Sequence, residues 1–107
     1  MKKLILMALL VSVVACTSAS PKQYYRPVGA EQQVELFGRF DQITYKHQVL
    51  INDTVVIDGE LSYNYEDGHF SGEYQGMKVT SDCHWKLKKD LYCQVKINDE
   101  MAANLTF

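Results

Sequence analysis

Apolar and polar residues alternate with few breaks from Val34 to Phe107, and turn-forming clusters interrupt the alternation roughly every 8 to 12 residues. A period of two puts successive side chains on opposite faces of a strand, so the pattern predicts an antiparallel meander. A one-residue slip would send a whole strand's side chains to the wrong face, and one choice of turns keeps every apolar set together. Asp67-Gly68 as a type I′ turn pairs Tyr65 with Phe70 and Leu61 with Tyr74, and Gly76-Met77 as a type II′ turn pairs Gly72 with Ser81 and Phe70 with Cys83. A reversal at Lys88-Lys89-Asp90 pairs Trp85 with Leu91, Cys83 with Cys93, Ser81 with Val95 and Val79 with Ile97. Three-residue loops at Asn52-Asp53-Thr54 and Asn98-Asp99-Glu100 pair Val49 with Ile57, His47 with Gly59, Val95 with Ala103 and Cys93 with Leu105. Asp41-Gln42 pairs Phe40 with Ile43 and Leu36 with His47.

This register turns Phe40, Tyr45, Tyr63, Tyr65, Phe70, Tyr74, Trp85 and Phe107 inward and leaves a polar outer face. No sizeable amphipathic helix remains in the sequence to cover the apolar side, so the sheet must curl on itself. The expectation is one all-β domain over 34–107, a small antiparallel meander of about seven strands curled into a barrel or half-barrel. Seven strands leave the first and last parallel at closure, so either that seam is open or Tyr24 to Glu31 supplies an extra element.

The first residues read differently. Lys2 and Lys3 precede an almost uninterrupted apolar run from Leu4 to Ala15, whose 12 residues fall short of the roughly 20 a membrane-crossing helix needs. The run ends in Val13-Val14-Ala15-Cys16, which resembles the lipobox of bacterial lipoproteins. The resemblance, which covers about the first 16 residues, implies that 1–15 is a cleaved signal peptide and that the Cys16 sulfur and new amino group are acylated, making Cys16 a membrane anchor. Thr17 follows where an Asp would mark inner-membrane retention, so the resemblance places the protein at the outer membrane of the bacterial envelope, facing the periplasm. Residues 16–33, with Ser, Thr, Gln and both prolines, are expected to be the lipidated Cys and a flexible tether.

Composition narrows the function classes. Eleven Lys and Arg against thirteen Asp and Glu, with an isoelectric point near 5.8, give no general positive field for nucleic acid. Loss of Lys2 and Lys3 with the signal leaves nine cationic residues against thirteen anionic ones, so net charge alone would not hold the mature chain to an anionic membrane.

Once lipid consumes Cys16, Cys83 and Cys93 are the remaining thiols in an oxidising compartment, and one intrachain disulfide follows. Closing so short a loop stabilises by roughly 2.5 to 3 kcal/mol in the chain-entropy description. His47 falls on the inner face, His69 at a turn opposite Glu66 and His84 on the outer face beside Tyr92, so no metal site is expected. No catalytic or nucleotide-binding motif is present, and neither an enzyme nor a cofactor is expected.

Inner-face polarity makes His47, Tyr45, Tyr63 and Ser81 a candidate ligand pocket, while Phe37, Leu50, Val56 and Tyr92 break the outer polar pattern as a candidate contact patch. The leading expectation is a lipid-anchored, noncatalytic envelope domain acting by contact with another envelope protein. A lipobox, a compact β-domain and a disulfide are together also similar to small lipoproteins that inhibit C-type lysozyme. That resemblance is architectural: Ser71-Gly72-Glu73-Tyr74 has the letters of that family's loop but falls inside a predicted strand. Hence the alternative is an inhibitor or small-ligand-binding barrel.

Overall fold

The computed structural model describes residues 17–107, so the expected signal peptide 1–15 and the acylation site Cys16 lie outside the described residues. Among the described residues nine strands form: β1 (Thr17–Ala19), β2 (Gln23–Tyr25), β3 (Val34–Asp41), β4 (Lys46–Ile51), β5 (Thr54–Glu60), β6 (Gly68–Tyr74), β7 (Met77–Lys86), β8 (Asp90–Ile97) and β9 (Glu100–Thr106). They make two antiparallel sheets, one with β1 and β2 both on the outer edge of β3 and then β4 and β5, the other β6-β7-β8-β9. The all-β expectation holds, but the single seven-stranded barrel does not: there are two sheets and no closed barrel.

Two local causes account for the difference. The Asp67-Gly68 hairpin does not form, because the chain turns away earlier. Leu61 is buried, the Ser62 hydroxyl accepts the Asn64 N–H at 3.1 Å, and Tyr65 takes a left-handed φ of 61°. β6 therefore starts a second sheet and pairs only with β7. The two additional strands come from the segment expected as a tether. β3 would otherwise present an unpaired edge, and β1 and β2 cover it in turn. Between them, buried Ser20 continues the ladder: its N–H donates to Gly38 O at 2.9 Å and its hydroxyl accepts the Gly38 N–H at 2.8 Å.

The turns show why the apolar face survived several wrong loop lengths. Asn52-Asp53, Gln75-Gly76 and Asn98-Asp99 are two-residue turns with both residues at positive φ, the type I′ geometry that matches strand twist. At the first and third, bulges between Val49 and Leu50 and between Val95 and Lys96 absorb the missing residue, so Val49 still faces Ile57 and Val95 still faces Ala103. Gln75-Gly76 in place of Gly76-Met77 shifts the register by two, bringing Gly72 opposite Val79. At the first reversal the Asp41 carboxylate accepts the N–H groups of Ile43 and Thr44 at 2.8 and 3.1 Å and builds a longer loop, so Phe40 faces His47. Both shifts are even, and an even shift keeps every side chain on its own face. The β7–β8 register matches the expected one at every pair named above.

Leu36, Val49, Ile51, Val79, Leu91, Val95, Ile97 and Leu105 are essentially inaccessible and fill the space between the sheets. Along one side the sheets are joined by side chains: the Gln23 amide donates to Asn104 O and accepts the Asn104 N–H at 3.1 Å, tying the β9 edge to β2. Along the other side, Gly72 of β6 abuts β5 so closely that a Cβ there would lie 2.0 Å from Val56 O.

That contact predicts the cost of a side chain. Gly72→Val should destabilise the domain by about 2 kcal/mol or more, since backbone must move to admit it. The urea midpoint of the variant measures this, and an unchanged midpoint would show that the sheets do not meet there.

Candidate functional site

Directly opposed positions on β7 and β8 bring Cys83 and Cys93 together, and the expected disulfide is formed and buried. His47, carried by β4 on the facing sheet, lies against it with no solvent exposure. Its Nδ1 lies 3.3 Å from Arg39 O, a group that can only accept, so Nδ1 carries the proton. Nε2 then accepts from the Ser81 hydroxyl at 2.9 Å, and Ser81 Oγ sits 3.7 Å from Cys83 Sγ. Both buried polar side chains are thereby satisfied.

Burial pushes the His47 pKa down from 6.5 to about 4, against the smaller opposing effect of the Arg39 carbonyl. The His47 ring nitrogen and the two sulfurs lie within 4.8 Å of one another. By residue type that is a metal-ligand set, but both sulfurs are committed to each other.

The expected pocket of His47, Tyr45, Tyr63 and Ser81 splits into two places. Phe107 packs on His47 at 5.8 Å between centroids and on Phe40 at 6.1 Å, and beyond Phe40 lies a separate aromatic group. There Tyr45 stacks on Tyr63 at 4.5 Å, and Trp85 packs edge-on against Phe40 and Tyr65. Tyr63 and Tyr65, expected in the core, are 62% and 37% exposed. They lie in the segment that leaves the sheet after Leu61, where strand alternation no longer governs direction. A cavity of about 220 Å³ opens here, lined by Phe40, Gln42, Tyr45, Tyr65, Trp85 and the β7–β8 turn lysines Lys88 and Lys89. Trp85 Nε1 is the one buried side-chain nitrogen or oxygen among the described residues with no hydrogen-bond partner. The lysines were legible only as turn residues; no sequence spacing linked them to Gln42 or Tyr65.

The expected outer patch is corrected as well. Phe37 and Leu50 face each other across β3 and β4 and are both buried, with Lys22 and Arg39 cations 5.7 and 5.5 Å from the Phe37 ring. Val56 and Tyr92 are half-buried on different sheets, and Tyr92 stacks on His84 at 5.7 Å. His69 pairs with Asp82 at 2.7 Å rather than flanking a turn opposite Glu66. Ser71 to Tyr74 lies within β6, fully paired to β7, and forms no loop.

The domain therefore has two unlike poles. One gathers the 41–45 loop, the 61–67 crossing and the Leu87-Lys88-Lys89 turn around the aromatic cavity. The other gathers the three type I′ turns, which carry Asp53 and Asp99, together with the 26–33 segment.

No family model matches the chain, and comparison with curated proteins and with solved structures finds no match.

His47 gives the site a defined response to acid. Its folded pKa of about 4 lies below the unfolded value of 6.5, so above pH 6.5 neither state is charged and the group is silent. As pH falls from 6.5 toward 4 the unfolded chain takes a proton that the folded chain refuses, and stability drops by about 3 kcal/mol when the window is crossed. Urea unfolding across pH 7 to 4 should show this slope, and His47→Gln should flatten it. An equal slope in the variant would place the acid sensitivity elsewhere.

Proposed function

We propose that the chain is a lipid-anchored protein of the bacterial envelope, held at the outer membrane on its periplasmic side, whose β-domain works by contact and without catalysis. The observation that supports this reading is the pairing of β1 with β3. Thr17, the position after the lipobox cysteine, is already in a strand and pairs with Asp41. An anchor attached one residue earlier would hold the domain close to its membrane, with little reach toward distant substrates.

The disposition of the histidines supports the noncatalytic part. His47 is internal and bound to Ser81, His69 is engaged with Asp82, and His84 is stacked on Tyr92. No two of them converge on one open cavity.

The partner is proposed to be an envelope protein met by the pole opposite the anchor, where Val28, Val55 and Met101 are exposed at 83%, 45% and 45% beside acidic turns. The wild-type chain should carry an acyl mass on Cys16 and fractionate with membranes, and Cys16→Ser should release it to the soluble fraction. In cells, a photo-crosslinking residue at Met101 should give a discrete adduct with one envelope protein, and the same probe at His84 should not. An unmodified, soluble wild-type chain would overturn the anchoring. Turnover lost in His47→Gln but retained in a folded Ser81→Ala variant would overturn the noncatalytic reading.

A further inference from the structure

The geometry points to a second contact with the membrane: we infer that the aromatic pole docks on the phospholipid surface beside the anchor, so that the β-domain rests on the bilayer in one fixed orientation. This rests on the anchoring proposed above.

The first support is where the chain enters. β1 runs antiparallel to β3 from Thr17 opposite Asp41 to Ala19 opposite Arg39, and Gln42 Nε2 donates to Ser18 Oγ at 3.3 Å. Consecutive Cα atoms are about 3.8 Å apart, so a lipid on the residue before Thr17 is attached within one residue of the 41–45 loop. Residue 16 is bonded to Thr17, so an anchor there meets the domain at this pole and not at the other.

The second support is what this pole exposes. Leu87 is 87% exposed at the tip of the β7–β8 turn, in a left-handed φ of 57°, and Ile43 is 66% exposed at the tip of the 41–45 loop. An apolar side chain at both tips is the reverse of what a water-facing turn selects. Tyr63 and Tyr65 stand between them, and the Tyr63 hydroxyl donates to Thr44 O at 3.1 Å, so its ring is held against that loop. Amphipathic aromatic rings of this kind settle at the headgroup level of a bilayer.

The third support is charge. Lys86, Lys88 and Lys89 flank Leu87, and Arg39 and Lys46 line a cleft with Thr17. Asp41 turns its carboxylate onto its own loop N–H groups, Glu66 and Asp67 follow Tyr65, and Asp90 opens β8 opposite Lys86. Lys88 and Lys89 lie in the turn itself beside Leu87, where lipid phosphates would meet them. The opposite pole has exposed apolar residues too, but its turns carry Asp53, Asp99 and Glu100, which an anionic leaflet repels.

Trp85 is the single tryptophan of the sequence and lines the cavity at the docking pole, so it reports the contact directly. The lipidated full chain, reconstituted in vesicles of phosphatidylethanolamine and phosphatidylglycerol, would be compared with vesicles in which part of the lipid carries bromines near the carbonyls or deep in the acyl chains. The shallow bromines should quench Trp85 more than the deep ones. An Ile43→Asp, Leu87→Asp double variant should float with the vesicles equally well yet lose most of the quenching, while Val28→Asp with Met101→Asp should leave it unchanged. Near-ultraviolet circular dichroism confirms that each variant is folded. Protein that floats but shows no quenching, or quenching equal in both double variants, overturns the docking and leaves the anchor standing. Protein that does not float at all fails earlier, at the anchor itself.

Discussion

The pairing of β1 with β3 is the constraint from which the functional reading follows. Antiparallel strands lock direction as well as position: once Thr17 lies opposite Asp41, the entering chain must come from the pole that holds the 41–45 loop. β3 is the element that makes this possible, because its other edge is already filled by β4. Its free edge needs a partner, and Ser20 lets one short stretch of chain supply two, changing from β1 to β2 without leaving a gap in the ladder. A backbone edge that would otherwise invite another chain becomes the feature that fixes the direction in which the chain enters the domain.

The interior serves that orientation by being rigid and chemically closed. The disulfide joins adjacent strands, Ser81 on the same sheet bonds His47 on the other, and the Arg39 carbonyl takes the remaining imidazole proton. Every polar atom of this group has a partner, so it helps to fix the relation between the sheets. The unspent donor, Trp85 Nε1, lies at the edge of this core, where aromatic packing gives way to the open cavity. Chemistry and contact are thereby separated, with a sealed polar centre and an amphipathic rim.

Much of the sheet was legible in the sequence because parity is a robust signal. Registers misjudged by two or four residues left His47, Ser81, Cys83 and Cys93 on the inner face, and bulges repaired the odd discrepancies. What alternation could not carry was the break at Leu61, where a Ser turn and a left-handed tyrosine divert the chain despite a sequence that continues to alternate. That break created the second sheet and moved Tyr63 and Tyr65 from core to surface. The role of residues 17–25 was hidden for a different reason. Strands of three residues have too few positions to show a period, and they form here because an edge elsewhere needs them. The outer patch failed at Phe37 and Leu50 because the two pair directly across β3 and β4 with two cations over the Phe37 ring, a cover that alternation does not show.

The central claim is therefore that the chain just beyond Cys16 is part of the sheet and not a spacer. Amide hydrogen exchange on the lipid-bearing protein in vesicles tests it most directly. The account predicts that peptides covering Thr17–Ala19 exchange as slowly as the β3 amides opposite them. Exchange there at the rate of an unstructured peptide, with β3 still protected, would mean the domain hangs on a free tether, and would contradict the account.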